Sequence, residues 1–110
     1  MNDKYEEMLR IVDNTIKCCS MLDENGMSNI TRDIIISKCR KENVFMTRVL
    51  IASQILSAGF TVSTIAKFLK RTPQDIRRLL AKGCDLRRFS RAYRVAENES
   101  NILNQEYIKS

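Results

Sequence analysis

The chain has 110 residues, enough for one domain that buries a core without disulfides or metals. Hydrophobic residues at 44% exclude a disordered polymer, and one Pro with three Gly disfavours a turn-rich all-β fold. Net charge is +6, and its distribution is uneven: residues 1–30 carry three basic and six acidic side chains. Residues 67–94 carry ten basic ones (Lys67, Lys70, Arg71, Arg77, Arg78, Lys82, Arg87, Arg88, Arg91, Arg94) against Asp75 and Asp85. Positive charge collected in one stretch is what phosphate binding requires.

Residues 3–22 have the period of a helix, with Tyr5, Met8, Leu9, Val12, Ile16 and Cys19 on one stripe and Asp3, Glu6 and Glu7 in the first turn. Asp23-Glu24-Asn25-Gly26 is expected to stop it, through a left-handed Gly26. A short helix is expected over Thr31–Lys38, capped by Thr31, followed by a polar, basic connection through Asn43. Asn43 is the expected cap of a third helix running to about Ala58, apolar over most of its circumference and so central to the domain.

Thr61-Val62-Ser63-Thr64-Ile65-Ala66-Lys67-Phe68-Leu69 reads as a two-turn amphipathic helix, and Lys70-Arg71 as a tight turn. Thr72-Pro73-Gln74-Asp75 is a helix start: Thr72 caps, Pro73 takes the first helical position, and Asp75 stands where a capping box puts its acid. Gly83 is the expected end of that helix. A last helix is expected from Asp85 to about Tyr107, with Leu86, Phe89, Tyr93, Ala96, Leu103 and Tyr107 on one seam and Ser100 as a polar break. The domain is thus read as 1–110, with a C-terminal helix and tail over 84–110.

The expected fold is an all-α bundle of five to six helices, in the manner of the Trp repressor, containing a helix-turn-helix from about Thr61 to Lys82. In that motif the second helix enters the major groove while the first crosses the backbone. Ala66 is the small residue that close packing needs, and Ile65, Phe68, Leu69, Ile76, Leu79 and Leu80 are the anchors. Gln74, Arg77 and Arg78, at three- and four-residue steps with Ala81, are the candidates for base edges, since Arg pairs with guanine and Gln with adenine. Ser63, Thr64, Lys67, Lys70, Arg71 and Lys82 are the candidates for phosphates.

The residues Ser37-Lys38-Cys39-Arg40-Lys41, then Val44, Arg48 and a long apolar helix, then Thr61 to Arg71, resemble the C-terminal DNA-binding domain of the bacterial replication initiator DnaA. The resemblance covers roughly residues 31–82 and is nearest to short DnaA-like proteins carrying this domain alone. It implies double-stranded DNA as partner. It also implies that Arg40, beside Lys41 in the basic loop, enters the minor groove and that Arg48 faces the DNA backbone. The family's Arg-Asp-His-Ser/Thr-Thr-Val after the turn is replaced by Arg71-Thr72-Pro73-Gln74-Asp75-Ile76, which implies a changed or lost sequence preference.

The expected function is a DNA-binding regulator of transcription or replication without ATPase activity, since no phosphate-binding glycine loop is present. The competing reading is a protein-interaction module on a degenerate helix-turn-helix. The tail seam leaves two options open, packing on the chain's own core or a homodimer through the C-terminal helix. No His and no paired carboxylates argue against an enzyme. Four Cys without zinc spacing (Cys18, Cys19, Cys39, Cys84) argue against a metal or other cofactor and for small packing residues in a reduced cytoplasm. No signal peptide or membrane span is expected.

Overall fold

A computed structural model describes residues 3–20 and 30–108. Six helices follow in order: α1 (Asp3–Ser20), α2 (Arg32–Ile36), α3 (Glu42–Ser57), α4 (Val62–Leu69), α5 (Pro73–Phe89) and α6 (Arg91–Leu103). No strand occurs among the described residues, so the all-α expectation holds. The stop expected at Gly26 lies outside the described residues.

Helix α3 is the hub and packs against all five other helices. Val49, Leu50, Ile51 and Ile55 are fully buried, as are Ile11 and Val12 of α1, Ile35 of α2, Ile65 and Leu69 of α4, and Ile76 of α5. Such burial supplies the main favourable term of folding, at about 25 cal/mol per Å² of apolar surface. On α1 the stripe is shifted from the expected one. Met8, Ile11, Val12, Thr15, Cys18 and Cys19 face inward, and Tyr5 is half exposed.

Caps written in local sequence appear as expected at Thr31 and Thr72, and a third, not foreseen, appears at Thr61. Thr31, Thr61 and Thr72 each accept a backbone N–H through Oγ1, from Ile34, Thr64 and Asp75 respectively, at 3.1–3.2 Å. Asn43 is not a cap: α3 begins at Glu42 after Lys41, and the Asn43 side chain accepts from the amide of Val44.

Gly83 does not end its helix, which corrects the expected boundary at residue 84. Helix α5 runs six residues further, and Gly83 sits buried inside it where α5 crosses Val49 and Tyr93. The stop falls at Ser90, which closes α5 through its amide to the Leu86 carbonyl and caps α6 by accepting from the Tyr93 amide. A Cβ at residue 83 would meet the Tyr93 hydroxyl and a Val49 methyl at 3.4 Å, an ordinary contact distance. Gly83→Ala is therefore expected to raise stability by about 0.5–1 kcal/mol, the helix-interior penalty of glycine. A urea midpoint below wild type would show instead that this crossing has no room.

The expected C-terminal seam also needs correction. Tyr93 and Ala96 are buried, but Phe89 is 78% exposed and Leu103 40%. The inward side of α6 is completed by polar residues, Ser100 and, just beyond the helix, Asn104. Asn104 Nδ2 donates to Gln54 Oε1 at 3.0 Å, Gln54 Nε2 to Asn101 Oδ1 at 2.8 Å, and Asn14 Nδ2 to Asn104 Oδ1 at 2.9 Å. This network ties α6 to α1 and α3. Asn101 and Asn104 thus make this end of α6 a docking element, and their hydrogen bonds fix one register where apolar contacts alone would allow several.

Candidate nucleic-acid interface

Helices α4 and α5 are joined by a turn whose pivot is Lys70, in the left-handed region at φ 55°. A side chain there costs about 1 kcal/mol relative to glycine. Two bonds hold the turn: the Lys70 amide donates to Lys67 O, and the Arg71 amide to Ala66 O at 2.9 Å. Ile65, Ala66 and Leu69 on one side, and Ile76 and Leu79 on the other, clamp the pair to the core. These anchors leave Gln74, Arg77, Arg78, Ala81 and Lys82 on the exposed side of α5.

Beside that helix start lies a groove of about 1110 Å³. The α2–α3 loop forms one bank with Lys38, Cys39 and Arg40. The α4–α5 turn forms the other with Lys70, Arg71 and Thr72, and Asp75 and Arg78 close it from α5. Five of these side chains are cationic against a single carboxylate, so the groove is basic, and concave walls focus such a field. Asp75 is engaged by Arg78 at 3.4 Å, which lessens its repulsion of an anion.

Arg48 does not face solvent, contrary to the role implied by the resemblance. It is 4% exposed. Its Nε donates to Ile35 O at 2.9 Å and its Nη2 to Ser37 O and Cys39 O at 3.2 Å. Burial first, and the neighbouring Arg71 charge second, pull its pKa down. It remains a cation at neutral pH, since an arginine does not lose its proton in a protein. A buried guanidinium spent on carbonyls shapes the loop and is withheld from a phosphate. Arg71 acts on the same loop, where its Nη2 reaches Ser37 O at 3.1 Å while its Nη1 reaches Leu69 O. Two arginines thus converge on one carbonyl and fasten the basic loop to the turn.

The structure brings Arg40, Lys70, Arg71 and Arg78 to one groove, which the buried Arg48 also lines, and adds Lys38, which was visible in the sequence only as part of a basic run. Gln74, Arg77 and Lys82 continue outward along α5, and Ser63, Lys67 and Lys41 are exposed elsewhere on the surface. Thr64 is not at the groove. Its hydroxyl lies 3.0 Å from that of Thr61, and it lines a separate cleft of about 340 Å³ with Lys4, Tyr5 and Phe60.

Part of the basic run is also spent internally. Arg87 forms a bidentate pair with Glu97, at 2.8–3.1 Å, which raises the guanidinium pKa. Arg94 donates to the carbonyls of Arg87 and Arg88 at the end of α5. Both hold α5 to α6, so the density of charge read along the sequence overstates what reaches the surface.

Cys18 and Cys19 are buried packing residues, as expected, whereas Cys39 is half-buried at the groove and Cys84 is exposed. Among the described residues no group of three or more potential ligands could hold a metal ion, and no helix is long and apolar enough to cross a membrane. Comparison with protein-family models, with characterised proteins and with solved structures gives no match for this chain.

Proposed function

We propose that the chain is a cytoplasmic double-stranded DNA-binding protein, a regulator of transcription or replication rather than an enzyme. The carrying observation is spatial. The exposed side of α5, with Gln74, Arg77 and Arg78, adjoins a basic groove edged by Lys38, Arg40 and Lys70. A helix entering the major groove would offer Gln74, Arg77 and Arg78 to base edges while Lys67, Lys70, Lys82 and Ser63 meet phosphates. Arg40 and Lys41 would follow the backbone into the adjacent groove, in keeping with the resemblance to the DnaA domain. Arg78 can exchange Asp75 for DNA cheaply, because their pair is exposed and such pairs contribute at most about 1 kcal/mol.

Retention of a random duplex pool at two salt concentrations, followed by sequencing, tests the reading. Enrichment of a motif at the higher salt is the expected result. Arg77→Ala should then cost about 1–3 kcal/mol of binding and relax preference at one position. Lys67→Ala should weaken all sequences alike and flatten the salt slope by about 0.9 per lost contact. Absence of binding at either salt would overturn the proposal in favour of a protein-interaction module.

A further inference from the structure

The outward face of α6 is unpartnered in the monomer, and we infer that it pairs with the same face of a second copy of this chain in antiparallel orientation. Val95 is 38% exposed and Ile102 59% exposed, seven residues apart and hence on one side of the helix. Arg91, Asn98 and Glu99 share that side, and Glu106 follows in the turn after the helix, all of them exposed. The order along the face is basic, apolar, polar, apolar, acidic. A two-fold axis between Asn98 and Glu99 sets Val95 of one copy against Ile102 of the other. The same axis sets Arg91 against Glu106 at both ends. Parallel pairing would put Arg91 on Arg91, whereas the antiparallel arrangement gives each Arg91 a Glu106; Glu99 lies near Glu99 in either case, so the charges at the two ends select the antiparallel arrangement.

The helix dipole points the same way. Helix α6 has no acidic residue in its first turn and no basic residue in its last. Instead Arg91 opens it, Glu99 lies toward its end and Glu106 lies beyond, the reverse of what stabilises an isolated helix. Arg94 has a use inside the monomer, on the α5 carbonyls. Arg91 makes no ion pair among the described residues. An antiparallel partner offsets the reversed charges at both ends at once. This face differs from the seam of Tyr93, which is consumed by the chain's own core. A contact of one helix per copy is small, so the dimer is expected to be weak and concentration-dependent.

Sedimentation equilibrium of the full chain without DNA, from micromolar to near-millimolar concentration, tests this independently of the DNA-binding reading. A reversible monomer–dimer equilibrium is expected. Ile102→Arg should weaken it about tenfold or more while leaving the circular dichroism spectrum unchanged, because the side chain lies outside the core. Arg91→Glu should weaken it as well, and Arg91→Glu combined with Glu106→Arg should restore it. A monomer at every concentration would overturn the inference. So would a dimer indifferent to Ile102→Arg, or one that the double reversal fails to rescue.

Discussion

Arg48→Ala is expected to lower unfolding stability by about 2–4 kcal/mol, the range of changes that break a partly buried hydrogen-bond network. The wild-type guanidinium satisfies the carbonyls of Ile35, Ser37 and Cys39, which lie at the end of α2 and in the basic loop. Alanine removes all three bonds and opens a cavity beneath the loop. Arg48→Lys should recover only part of the loss, because a single ammonium cannot reproduce the planar fork that addresses separated acceptors. The loop carries Lys38 and Arg40 to the groove, so under the proposed function DNA affinity should fall with stability, and equally for all sequences. Arg77→Ala should show the opposite pattern, with an unchanged urea midpoint and altered preference. If Arg48→Ala keeps the wild-type midpoint yet loses DNA affinity, Arg48 is a phosphate ligand after all, as the resemblance to the DnaA domain implies.

The contrast between Arg48 and Arg77 shows which part of this molecule was legible in its sequence. Signals that act within one helical turn could be read directly. Thr31 and Thr72 cap because a hydroxyl three residues before a free amide needs no further information, and Pro73 suits a first helical position in any context. The apolar steps of α3 placed it at the centre, and the spacing of Ile76, Leu79 and Leu80 determined which side of α5 faces out. Signals whose meaning depends on a distant partner could not be read. An isolated Gly83 is equally compatible with a helix stop and with a close crossing, and Tyr93 and Val49, neither a near neighbour in sequence, decide for the crossing. Asn101 and Asn104 look like solvent residues until Gln54 and Asn14 are brought to them. The basic run failed in the same way. Charge counted along a chain does not distinguish Arg77, exposed on α5, from Arg87, locked to Glu97, because only the packing of α6 separates them.

That packing also sets how the fold should respond to alkali. The Tyr93 phenol is fully buried, and its oxygen has no hydrogen-bond partner by distance and angle. Burial first, and the Glu97 carboxylate second, push its pKa from 10 to about 12. Burial likewise pushes the Cys19 thiol from 9 to about 11. Both groups are held neutral in the folded state more firmly than in the unfolded chain. Their neutral forms therefore contribute stability that is complete below about pH 9. Above it the unfolded chain ionises, first at cysteine and then at tyrosine, while the folded protein does not, and stability declines until the folded groups ionise as well. A two-unit shift corresponds to about 2–3 kcal/mol for Tyr93 alone. Urea titrations under reducing conditions between pH 7 and pH 11 should show a plateau followed by a fall that begins near pH 9. Tyr93→Phe should remove the tyrosine part of that fall. At pH 7 the same change should be neutral or slightly stabilising, since it deletes a buried hydroxyl that has no partner to lose. A large loss at pH 7 would mean that the hydroxyl is bonded in solution, with the Ser53 hydroxyl as candidate partner. In that case the packing of α6 on α3 would be held by a polar contact as well as by apolar burial.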